Sequence, residues 1–215
     1  MVPTVRYPSF VDQLPLTRLA LEFAAASHGE QRREADDAPF ILHPLEVAHL
    51  LHGRDYPDCV VAAGVLHDVI EDTEAEYDEL ARDFGAEVAR LVCAVTEPGG
   101  DGGYSERKAR LRRAVAEAET DAVVIFAADK VAKAREFRLN LVRRRERDPV
   151  QVDPAKLEHY WACLSLLESR LGGHAFVRQF RFELEALELL PPGNTSGPSR
   201  PATEPLSRDE TVAAK

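Results

Sequence analysis

The chain has 215 residues, 45% of them hydrophobic, with a formal charge of −10 and three cysteines. That suffices for one well-enclosed core and argues against two independent domains, while the longest apolar runs, 59–66 and 122–128, fall far short of the about 20 residues of a membrane span. Net negative charge disfavours nucleic acid as a partner. No basic-then-apolar signal segment opens the sequence, and Cys59, Cys93 and Cys163 form no C-x-x-C pair, so free thiols in a reducing cytoplasm are expected.

Strand signals are scarce. Ala, Leu, Glu and Arg dominate long stretches at helical spacing, which predicts an all-α fold with helices at about 16–27, 44–52, 57–70, 76–83, 85–96, 104–117, 121–140, 154–171 and 174–190. Connections are short except around 29–43. Pro44 suits a first helical position and steers His43 out of the α region, so that its imidazole projects from the helix entrance. The run Glu97-Pro98-Gly99-Gly100-Asp101-Gly102-Gly103 reads as a flexible connection. It lacks the Lys-Ser or Lys-Thr of a phosphate-binding P-loop. Residues 107–147 hold thirteen basic and six acidic side chains, a local +7 that leaves −17 elsewhere; this fits a small anionic ligand in a basic cleft, with the arginines at 143, 144, 145 and 147 read as a solvated helix end. Asp153-Pro154 is a second helix start, and Gly172-Gly173 separates a final helical hairpin. From Pro191 onward Pro, Gly, Ser and Thr replace large apolar residues. The expected organisation is a single domain over 1–190 followed by a disordered tail at 191–215. The apolar character of 174–190 leaves room for a helix-mediated contact, and the oligomeric state stays open.

The chemistry concentrates in Leu66-His67-Asp68-Val69-Ile70-Glu71-Asp72-Thr73. On one helix, positions 67, 68, 71 and 72 span about 140° of arc, so all four side chains are expected to face one pocket. Burying them beside an apolar run is costly unless they are paired or coordinate a cation. His67 and Asp68 supply two ligands, and His43 and Asp129, an acid closing an apolar run, are the candidates for the remaining two. A two-His, two-Asp set suits Mn²⁺, Fe²⁺ or Zn²⁺ with positions left open for water. One cation is provided for. Such an ion lowers the pKa of water and polarises a phosphoryl oxygen, with Glu71 and Asp72 one turn away for proton transfer; hydrolysis of a phosphate ester or anhydride follows. His49, His52, His159 and His174 read as surface or core residues.

The pattern resembles the HD-domain phosphohydrolases and, within them, the RelA/SpoT-type alarmone hydrolases, including stand-alone small ones. Four stretches carry the likeness: Ser27-His28-Gly29-Glu30-Gln31-Arg32-Arg33, Pro39-Phe40-Ile41-Leu42-His43-Pro44-Leu45-Glu46-Val47-Ala48, the 66–73 segment, and Ala128-Asp129-Lys130. The resemblance implies a helical HD fold and Mn²⁺ on His43, His67, Asp68 and Asp129, with Zn²⁺ or Fe²⁺ as ions a purified sample could carry. It also implies that Glu71 and Asp72 assist a water that removes pyrophosphate from the 3′ position of guanosine tetra- or pentaphosphate. Arg32 and Arg33 match positions near the guanine, where a guanidinium can stack while charged. Lys130, Arg107 and Lys108 are phosphate partners by charge. No synthetase half is expected in a chain of this length. Three places depart from the pattern. Val131-Ala132-Lys133 stands where Leu-His-Asn is usual, so that Lys133 offers charge to another phosphate; Glu34 replaces a lysine; Phe40 replaces a tyrosine. Two alternatives to a guanosine alarmone hydrolase therefore stand: an HD phosphohydrolase for another nucleotide or phosphorylated metabolite, and an idle nucleotide-sensing module.

Overall fold

The structure, a computed structural model, describes residues 7–33, 36–144 and 153–189. A 3-10 turn at Ser9–Gln13 precedes α1 (Pro15–His28), α2 (Leu42–His52), α3 (Asp58–Leu66), α4 (Val69–Asp72) and α5 (Tyr77–Phe84). Then follow α6 (Ala86–Val95), α7 (Tyr104–Glu117), α8 (Thr120–Arg144), α9 (Pro154–Leu171) and α10 (Ala175–Leu189). Extended pairing among the described residues is limited to one bridge, Arg32 to Pro39, in the α1–α2 connection. Glu34, the arginines at 145 and 147, and the tail expected at 191–215 lie outside the described residues.

Helix α3 is the hub. Residues 60–66 are buried on every side, as a helix with no polar stripe must be, and α1, α2, α6 and α8 pack around it. Its first residue, Asp58, also caps α1: the carboxylate accepts the Leu16 and Thr17 backbone N–H groups at 2.9 Å each and the Thr17 hydroxyl at 2.6 Å. The orphan donors of one helix start are thereby satisfied by another helix. Gly64 matters for a different reason. A Cβ there would collide with Leu51 Cδ1 and crowd Val47 Cγ1 at 3.3 Å, so the missing methyl lets α2 lie directly against α3. On the far side α8 runs through the core, with 122–132 buried throughout. Arg135 joins it to Glu46 of α2 at 2.8 Å, and Arg138 to the buried Glu183 of α10 at 2.6 Å.

Two sequence expectations need correction. Helix α2 begins at Leu42 rather than Pro44, so His43 lies within its first turn. Pro44 is tolerated there because the first-turn N–H groups have no intrahelical acceptor in any case. The helix expected over 57–70 is broken. α3 ends at Leu66, Asp68 takes φ −98° and ψ −7°, and α4 restarts at Val69. Apolar periodicity runs straight through the break, which is why it is invisible in the sequence; the deviation lies in the bridge region of one backbone residue. The Asp153 cap is as expected, with its carboxylate accepting the Ala155 N–H at 3.0 Å.

Candidate active site

Three elements deliver four buried ligand groups to one point: His43 from the first turn of α2, His67 and Asp68 from the α3–α4 break, and Asp129 from α8. One donor atom of each lies within 4.8 Å of all the others. The two imidazole Nε2 atoms face each other at 3.2 Å. Asp68 Oδ2 is 3.0 Å from His67 Nε2 and 3.5 Å from His43 Nε2, and Asp129 Oδ1 is 3.3 and 3.2 Å from the same pair.

The donor chemistry fits a divalent cation. His67 Nδ1 donates to the Gly64 carbonyl at 2.8 Å, so that Nε2 is the nitrogen turned toward the cluster and the one a cation would take in place of a proton, as is usual for a metal-ligating histidine. Asp129 Oδ2 is taken by Lys130 Nζ at 2.6 Å, whereas its Oδ1 is buried and accepts no hydrogen bond. That oxygen points at nitrogens without the geometry of a bond to any of them. Electrostatics agree. Burial lowers the His43 imidazole to about 4. At His67 burial acts the same way, but the Asp68 and Asp129 carboxylates outweigh it and raise the group to about 10. Burial opposes ionisation of both aspartates, yet both are held well below the ordinary carboxylate range, Asp68 by His67 and Lys133 and Asp129 by Lys130 and Lys133. Two ionised carboxylates thus converge on one small space that a dication would fill. Among the described residues this is the single group of three or more such ligands.

The cluster opens onto a pocket of about 400 Å³, within the range of small-molecule sites. His43, Asp68, Glu71 and Asp72 line it; His67 lies behind them, so three of the four 66–73 side chains reach the pocket rather than all four. The break at Asp68 sets α4 so that Glu71 and Asp72 stand at the mouth. Glu71 accepts the Glu97 backbone N–H at 3.2 Å and lies 3.6 Å from Lys108 Nζ. The Asp72 carboxylate has no hydrogen bond or ion pair among the described residues, and partial burial followed by the Asp68 and Glu71 charges raises it to about 6.

The opposite wall is cationic. Arg32, Arg33, Lys108, Lys130 and Lys133 all line the pocket, as does Lys156. Several are already engaged. Arg33 is bound to Asp36 and lies 3.3 Å from Glu136. Arg32 is exposed and donates to the Asp37 carbonyl at 2.8 Å. Lys130 sits on Asp129 and over the Phe126 ring at 4.4 Å, and Lys108 pairs with Glu97 at 2.6 Å. Arg107 is not brought to the pocket: Glu97 holds it at 2.7 Å on the loop side. The loop expected to be merely a flexible connection therefore contributes a residue, Glu97, that fixes Glu71, Arg107 and Lys108 together.

Sequence reasoning missed part of this wall. His159, read as surface or core, is buried and lines the pocket with Tyr104, Lys156 and Tyr160. Arg112 donates to His159 Nδ1 at 2.6 Å, which makes that nitrogen an acceptor and the ring neutral; burial, then Lys130 and Arg112, lower it to about 3. The one signal that could have found it is the adjacent pair His159-Tyr160.

Fold and site together define an all-helical protein with a buried two-His, two-Asp cluster at the floor of a basic pocket. The HD domain family model matches residues 20–152, and the chain belongs to that family. A guanosine-3′,5′-bis(diphosphate) 3′-pyrophosphohydrolase of Aquifex aeolicus is 36% identical over 120 residues, 56% of this chain and 17% of the relative. The Homo sapiens protein MESH1, described by the same activity, is 46% identical over 81 residues, 36% of this chain and 45% of the relative. The chain thus spans less than half the length of these relatives. A solved structure described as a metazoan ortholog of SpoT that hydrolyzes ppGpp superimposes with a TM-score of 0.66 at 24% identity, covering 86% of this chain and 98% of that one, a likeness of fold. A Listeria monocytogenes crystal structure gives 0.60 at 25% identity, covering 68% and 96%.

Proposed function

We propose that the chain is a divalent-metal-dependent 3′-pyrophosphohydrolase acting on guanosine 3′,5′-bis(diphosphate), with Mn²⁺ as the working ion. The observation that carries this is the convergence of His43, His67, Asp68 and Asp129 beneath a pocket that has Glu71 and Asp72 at its mouth and cations on its far wall. The activity names of the relatives point the same way.

Those four residues would hold the ion, which supplies a Lewis-acidic centre for water and a phosphoryl oxygen. The chain supplies the rest. Asp72, unpaired and raised to about 6, is the proton carrier: it takes a proton from the attacking water and can return one to the departing 3′-oxygen. Glu71, held by the Glu97 N–H and Lys108, positions that region. Water adds to the phosphorus nearest the ribose, the 3′ O–P bond breaks, and the products are GDP, or GTP from the pentaphosphate, and pyrophosphate. Lys108, Lys133 and Lys156 face the phosphates, Lys130 supports Asp129, and Arg32, with Phe40 beside the loop, is placed to cover the base. No described helix is long and apolar enough to cross a membrane, and the three free cysteines suit a cytoplasmic setting.

A second reading, hydrolysis of a different nucleotide, is favoured by Arg33, whose guanidinium is committed to Asp36 and Glu136 and so offers less to a guanine. Pyrophosphate release is to be measured with Mn²⁺ across guanosine 3′,5′-bis(diphosphate), GTP and other phosphorylated nucleotides. Fastest turnover of the first supports the proposal; turnover of another compound with none of the first overturns the substrate.

A further inference from the structure

Lys133 stands one turn after Asp129 on α8, the favourable acid-then-lysine i,i+4 order. Its ammonium lies 3.0 Å from Asp129 Oδ1 and 3.4 Å from Asp68 Oδ2. These are the same two oxygens that face both imidazole Nε2 atoms. Lysine thus makes ion pairs with both carboxylates of the proposed cation site. Lys130, by contrast, takes the other oxygen of Asp129, away from the cluster. Unlike the fully buried ligands, the Lys133 side chain is 35% exposed, and it lines the pocket, so it has solvent and the pocket mouth to move into. A lysine is suited to this because its charge is a point at the end of a flexible four-carbon stem.

We propose that Lys133 is a tethered stand-in for the cation: its ammonium neutralises Asp68 Oδ2 and Asp129 Oδ1 until a divalent ion takes those oxygens, and then swings into the pocket mouth toward the anionic ligand. The proposal rests on the metal-site reading above. Its consequence is a trade. Lys133 stabilises the metal-free protein, lowers the affinity for the ion, and delivers a positive charge to the pocket only once the ion is seated. The repulsion that drives the exchange is large, since two like charges at ion-pair distance in a partly buried site are little screened.

The test compares the full chain with Lys133→Gln and Lys133→Met, substitutions at a partly exposed position. With Mn²⁺ alone as titrant, followed by calorimetry or the loss of the free-ion paramagnetic signal, both variants bind at least about tenfold more tightly than the parent. In chelator at pH 8, both melt about 3 °C or more below the parent, and Mn²⁺ removes or reverses that deficit. A crystal structure with Mn²⁺ seated shows Lys133 Nζ outside ion-pair distance of at least one of the two oxygens. Unchanged Mn²⁺ affinity together with unchanged melting in chelator overturns the stand-in role while leaving the metal site intact, as does Nζ still on both oxygens beside a bound ion. Failure of parent and variants alike to bind Mn²⁺ overturns the metal site itself, and the inference with it.

Discussion

The cation grip and the ligand wall of the same pocket are built to opposite specifications. Every proposed metal ligand is buried and rises from a helix or a helix junction in the core, and two are braced from behind: His67 by the Gly64 carbonyl, Asp129 by Lys130. Most of the wall comes from the 29–41 connection, α7 and α9, with Lys130 and Lys133 added by α8, and it includes exposed side chains such as Arg32 and pairs such as Arg33 with Asp36 or Lys108 with Glu97. The first region cannot change without disturbing the fold. The second can be rewritten by exchanging surface partners, so the chemistry and the choice of ligand are separately adjustable.

The sharpest way to break that contrast is Asp129→Ala. It removes a ligand and strands the buried Lys130, so Mn²⁺ affinity should fall more than about 100-fold, beyond the loss of an outer partner. Stability should fall by about 3–5 kcal/mol, the cost of an uncompensated buried charge, as read by titration and urea unfolding. Asp72→Asn should separate chemistry from grip: kcat drops about 100-fold or more while metal content stays at the parental level. If Asp72 is the proton carrier, Glu71→Gln should cost less than Asp72→Asn, and the reverse order would exchange their roles.

His159 tests the wall through pH. Its folded pKa lies near 3, below the ordinary value in the unfolded chain, so the unfolded state binds the extra proton first as pH falls. The stability tied to the neutral ring is complete above pH about 6.5 and is lost as pH falls toward 3. Urea unfolding at pH 7 and pH 5 should show His159→Asn losing less stability between the two than the parent, by up to about 1.4 kcal/mol per pH unit; equal losses would show that the ring charges freely in the fold. Arg32→Ala is the mildest change. KM should rise up to about tenfold, the worth of one charged hydrogen bond, at unchanged kcat and melting temperature.

Much of the grip was legible in the sequence because its residue types are costly to bury for any other purpose. Asp129 at the end of an apolar run and His67-Asp68 behind another advertise a cation, and the helices carrying them follow from spacing. What stayed hidden depends on neighbours distant in the chain. Nothing local shows that Arg33 also reaches Glu136 on α8, or that Arg107 is diverted by Glu97 from a phosphate. His159 joins the pocket only because α9 packs beside α7, where Arg112 reaches its ring. The kink at Asp68 is a matter of one backbone residue, and side-chain patterns do not report it.

Gly64 brings α2 against α3 and offers its carbonyl to His67. The span between the two imidazoles is accordingly measured out by a residue with no side chain, much as the thickness of a gasket sets the gap between two flanges. The spacing of the cluster is thus set from outside its four side chains, through a position that chemical intuition about ligands would pass over.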